Sequence, residues 1–163
     1  GLFLLSRKWK PLLLQITTFT LAHTITIALA TIGMVTVQPS LVEPLIAASI
    51  AFIALENVFK GEYRHGRLVP VFLFGLIHGL GFASVSGMNP ESPSFLAELL
   101  GFTVGVDFGQ LAVIGLAFVF IAIVSLFLSA IRRPDQYRRM IVVPGSVAIA
   151  LTGAYWTIER IFF

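Results

Sequence analysis

Residues 68–86 read LVPVFLFGLIHGLGFASVS. The stretch contains no Asp, Glu, Lys or Arg, and as a helix it is about long enough to cross a ~30 Å hydrocarbon layer. Its one ionisable group is His78. Four more apolar segments surround it, at roughly 11–36, 40–59, 102–131 and 140–162. Pro11, Pro39 and Pro70 stand at or near predicted helix starts, where a missing N–H does no harm. Residues 1–6, GLFLLS, read as the tail of a further helix. The expected fold is therefore an all-α polytopic membrane protein. It is a single transmembrane domain over 1–163, a bundle of about six helices with the first incomplete.

Composition agrees. Hydrophobic residues make up 57% of the 163 positions and charged residues only 12%, with a mean hydropathy of +0.94. Soluble domains carry about 25% charged residues, so too little polar surface exists here to coat a water-soluble particle. The absence of cysteine excludes disulfides, thiolate metal ligands and cysteine nucleophiles. The net charge of +3 is spread over short clusters, so no nucleic-acid partner is expected. The chain begins at Gly1 without a signal peptide, and an upstream segment is expected.

Loop charge predicts the orientation. Arg7, Lys8 and Lys10 precede the 11–36 span. Lys60, Arg64 and Arg67 precede the 68–86 span, and Arg132, Arg133, Arg138 and Arg139 precede the last. The loops around 37–39 and 87–100 have no Lys or Arg. The positive-inside rule makes the basic loops cytoplasmic and the C-terminus external; Arg160 is the exception. The expected location is the bacterial inner membrane. NPESPSFLAELLGF, ahead of the 102–131 span, suggests an interfacial or re-entrant helix near 93–101. Gly101, Gly105 and Gly109 share one helical face, as do Gly75 and Gly79. Both patterns suit close helix packing.

Polar groups inside a bilayer are costly, so those present ask for a role. His23 and His78 fall near the middle of their spans, at matching depth. Thr20 and Thr24 border His23 and could orient its ring. Asp107 lies in GVDFGQL, with Gln110 and Thr103 on the same face and no basic neighbour in sequence. Glu43 and Glu98 sit toward the outer interface and could draw cations. Glu56 and Asn57 lie at the inner end of their span, where Lys60, four residues on, offers Glu56 an ion pair. Two imidazoles with oxygen donors suit Ni²⁺, Co²⁺ or Zn²⁺ rather than Cu⁺.

FTLAHTITIALA, LVEPLIAASIAFIALEN, FGLIHGLGFA and GFTVGVDFGQL occur in an order that resembles the HupE/UreJ family, over about residues 11–115. The resemblance implies a polytopic permease that supplies Ni²⁺ or Co²⁺ to metalloenzyme assembly. It carries family polar positions onto His23, Glu43, Glu56, Asn57, His78, Asp107 and Gln110. Two departures stand out. The chain starts downstream of where the family's first-helix His…Asp-His signature is expected, so the signature either lies upstream or is lost in a variant, and Thr103 stands where the family often has Asn.

The expected scheme is a non-enzymatic permease holding the ion at His23, His78 and Asp107. Glu43, Glu56, Asn57, Gln110, Thr20, Thr24 and Thr103 would line the path or support the ligands. No cofactor is expected to stay bound. The expected partners are lipid, the metal ion, and other membrane subunits or a second copy of the chain. The alternatives are an accessory subunit without transport, and a haem protein ligated by the two histidines. Ser84 and Ser86 lie near His78, but a Gly-x-Ser-x-Gly elbow for serine hydrolysis is absent.

Overall fold

The computed structural model describes residues 9–60, 65–127 and 138–163. These form α1 (Trp9–Thr31), α2 (Pro39–Phe59), a 3₁₀ turn (His65–Arg67), α3 (Leu68–Ser86), α4 (Phe95–Phe127), a π-helical turn (Arg138–Val142) and α5 (Val143–Phe162). No strand occurs among the described residues. Four helical segments are long and apolar enough to cross a bilayer, where the sequence predicts about six spans. They are Lys10–Thr31, Pro39–Phe59, Phe95–Phe120 and Arg138–Phe162. The apolar run of α3, Leu68–Ala83, is shorter. The span expected at 1–6 lies outside the described residues.

The helices pack chiefly in the order α4, α1, α3, α2, α5. α1 and α3 run parallel, because Gly75 meets Phe19 and Ala22 while Gly79 meets His23 and Thr26. A Cβ on Gly79 would stand 2.5 Å from the His23 carbonyl oxygen, and one on Gly75 would stand 2.7 Å from that of Phe19. Only glycine lets the two backbones come this near. Gly153 does the same for the antiparallel α2–α5 pair, where a Cβ would stand 2.8 Å from the Ala51 nitrogen. α2 and α3 are antiparallel, joined by an edge-on contact of Phe52 with Phe74 at 5.5 Å.

α4 departs from expectation twice. The separate helix near 93–101 is absent: Phe95–Gly101 forms the first turns of one 33-residue helix. Nothing after Pro93 breaks it, since a single Gly101 costs a helix only about 1 kcal/mol relative to Ala. Ser94 stands just ahead of Phe95, and its hydroxyl donates to Glu98 at 2.5 Å. The glycine face is also open: a Cβ on Gly101, Gly105 or Gly109 would meet nothing within 4 Å. The face expected to receive a helix is instead exposed, alongside Val104 and Phe108. Gly105→Ala should therefore leave accumulation unchanged and raise thermal stability by no more than about 1 kcal/mol. Melting of the purified protein in detergent checks this.

Charge is sorted by end. Lys10, Lys60, Arg67, Arg138 and Arg139 gather where α1, α3 and α5 begin and α2 finishes. Arg160 lies at the opposite end and pairs with Glu43.

Candidate functional site

His23 is fully buried, held on α1 by the packing that brings its backbone against Gly79. Its ring tilts against Phe19 at 5.5 Å and Phe82 at 6.1 Å. The Phe19 carbonyl is nearby but outside hydrogen-bond geometry, and neither ring nitrogen has a hydrogen-bond partner. An unpaired polar group at this depth costs about 1–3 kcal/mol.

His78 is half-buried on α3, and its Nδ1 lies 2.7 Å from the Phe74 carbonyl. A carbonyl oxygen only accepts, so Nδ1 carries a proton, and in the neutral ring Nε2 keeps its lone pair. His78 borders two clefts. One, of about 270 Å³, is lined by Glu43, Ile46, Phe82 and Arg160. The other, of about 130 Å³, is lined by Phe19, Ser49, Ile53, Val71 and Phe74. They follow the α2–α3 seam, one toward the Glu43 end and one toward the basic end. Phe19 also meets the His78 ring edge-on at 5.1 Å, so one aromatic side chain touches both imidazoles.

α1 and α4 are joined by a polar ladder. The Thr20 hydroxyl donates to Asp107 Oδ1. One turn away, the Thr24 and Thr103 hydroxyls lie 3.2 Å apart. Each also reaches a carbonyl of its own helix, Thr20 at 2.8 Å and Leu99 at 2.9 Å. Two hydroxyl protons cannot serve all three contacts at once, so the ladder has alternative arrangements. Its two rungs bracket His23 along α1. Phe19 lies against both imidazoles, and Thr20, three residues before His23, holds Asp107. Gln110 is half-buried, one turn beyond Asp107.

The remaining candidates sit at the ends. Glu43 is 3.6 Å from Arg160, both well exposed, so an acidic mouth also carries a guanidinium. Glu98 is exposed and takes the Ser94 hydroxyl. Glu56 forms the pair with Lys60 that the spacing allows, at 2.9 Å. It also faces Arg67 across the α2–α3 seam at 3.6 Å, and Asn57 is fully buried beside it. Among the described residues, no group of three or more His, Asp or Glu side chains is close enough to hold a metal ion. His23, His78 and Asp107 are neighbours, not a preassembled cage.

Sequence reasoning missed Ser49, Phe19 and Arg67. Ser49 was within reach, since it stands seven residues before Glu56 and so shares its helical face. Phe19 looked like ordinary apolar filling. Arg67 looked like a loop charge, yet it is only 3% exposed.

The chain matches the model of a family described as HupE / UreJ protein over residues 1–160, a longer extent than the motifs alone indicated. No curated protein and no solved structure matched it.

Proposed function

The chain belongs to the HupE/UreJ family, and from that premise we propose that it is a membrane permease for a divalent transition-metal ion, Ni²⁺ or Co²⁺. The family is associated with nickel and cobalt transport; the metal would supply metalloenzyme assembly. The observation that carries this reading is His78, whose Nε2 keeps its lone pair on a ring bordering two clefts of unequal size.

The unequal sizes suggest how passage proceeds. The cleft of about 270 Å³ is the roomier of the two and carries the Glu43 carboxylate, so a hydrated ion would enter there. The other cleft, of about 130 Å³, is lined chiefly by apolar side chains, so there the ion would exchange part of its water for protein ligands at His78. His23 stands by with two unpaired nitrogens, and Asp107 offsets the cation's charge while Thr20 holds its carboxylate. Two ligands with residual water bind loosely enough for release, as a conduction path requires. No phosphate-binding G-x-x-x-x-G-K-[ST] motif occurs, so the drive is the ion gradient, the membrane potential or a partner. The basic end is taken as cytoplasmic.

The test is metal influx into liposomes containing the purified chain and a Ni²⁺-sensitive dye. The wild type should admit Ni²⁺ or Co²⁺. His23→Leu should lose that flux while melting higher, by about 1–2 kcal/mol, because an unsatisfied buried group is gone. A folded wild type that moves neither metal would sink the permease reading. The open glycine face of α4 would then favour an accessory subunit that docks in a larger membrane complex.

A further inference from the structure

We propose that Arg67, paired with Glu56, is the barrier that closes the ion path at the basic end of the bundle. This goes beyond ion binding and rests on the permease reading for what the barrier holds back. The smaller cleft is bounded by Ile53 on α2 and Val71 on α3. One turn further toward the basic end, Glu56 follows Ile53 by three residues and Arg67 precedes Val71 by four. The pair therefore lies directly beneath the cleft, across the same seam.

Its burial suits a plug. Arg67 is 3% exposed, and the Glu56 side chain 8%. Glu56 Oε1 is 2.9 Å from Lys60 and Oε2 is 3.6 Å from Arg67 Nε. Arg138 braces the frame by donating from Nη2 to the Val58 carbonyl at 2.7 Å, which ties the start of α5 to the end of α2. A buried guanidinium beneath the smaller cleft would repel a cation descending from His78, because buried charges are weakly screened. Glu56 supplies the release: a divalent ion reaching the floor competes with Arg67 for the same carboxylate. Exchange of partner on Glu56 breaks its pair with Arg67 and opens the exit. At the other end, Glu43 and Arg160 are both well exposed beside the larger cleft. The pair at the basic end is thus buried and the pair at the opposite end exposed.

The chain has no cysteine, so Ser49→Cys installs a single thiol in the smaller cleft. A charged, membrane-impermeant thiosulfonate is applied separately to each face of oriented vesicles. With Arg67 intact, the thiol should resist labelling from the basic face. Arg67→Gln should speed labelling from that face by about tenfold or more. Arg67→Lys, which keeps the charge on a more flexible stem, should give an intermediate rate and carries the test if the Gln variant fails to accumulate. Ready labelling from the basic face with Arg67 intact overturns the proposal, as does an unchanged rate in the Arg67 variants. Labelling requires no transport. A chain that moves no metal yet shows the Arg67-dependent change keeps the barrier and loses the permease reading.

Discussion

His78→Ala is expected to lower Ni²⁺ influx by at least about tenfold while the protein accumulates and melts near the wild type. The two halves of this expectation have separate causes. Influx falls because, among the described residues, the only imidazole bordering both clefts is gone, and no other side chain lining the smaller cleft except Ser49 is polar. The fold survives because the ring is half-buried and already borders open space. Its hydrogen bond is to Phe74 on its own helix, so the α1–α3 seam stays closed. Influx and melting should be measured on one preparation. Unimpaired influx through a folded alanine variant would remove His78 from the path, and the reading built on it. A variant that melts far below the wild type would show that the ring serves packing.

The same residues show what the chain discloses about itself before folding. α3 was legible to its ends, because an uncharged apolar run between Arg67 and Gly87 has one way to satisfy its backbone in lipid. The structure sets one aromatic residue, Phe19, against both His23 and His78, which their places within their spans allowed for. Which glycines would be covered was not legible. Gly75 with Gly79 and Gly101 with Gly105 have the same spacing, yet the first pair lies under α1 and the second faces outward. Spacing reports a flat helix face; which neighbour arrives depends on the assembly of the whole bundle. The Thr20–Asp107 rung joins residues 87 apart, and no local pattern encodes it. Arg67 misled for a related reason. A charge just before an apolar run normally reads as a solvated loop, and only the return of α2 beside it makes it a buried partner for Glu56. The long α4 was misread because a turn-rich start, NPESPS, suggested a break that the later residues do not supply.

Gly79→Val should have the largest effect on the fold. The added Cβ would stand 2.5 Å from the His23 carbonyl oxygen, 3.0 Å from the His23 Cα and 2.8 Å from the Thr26 Cβ. Two of these are backbone atoms of a regular helix and cannot rotate away, so α1 and α3 must separate. Overpacking of this kind costs about 3 kcal/mol, and valine adds two further methyl groups to the same gap. Little of the protein should accumulate, and what does should melt far below the wild type. Gly105→Val is the control, since it places the same side chain on an open face of α4 and should leave melting nearly unchanged. Wild-type melting of the Gly79 variant would mean that the α1–α3 approach is looser than the structure has it. The seam also sets function. Gly79 lies against the backbone of His23 and one residue from His78, so any widening moves the two imidazoles apart. Surviving Gly79→Val protein should therefore lose metal influx even though both histidines remain. Paired with His78→Ala, which should lose influx without losing stability, it separates a ligand from the scaffold that presents it.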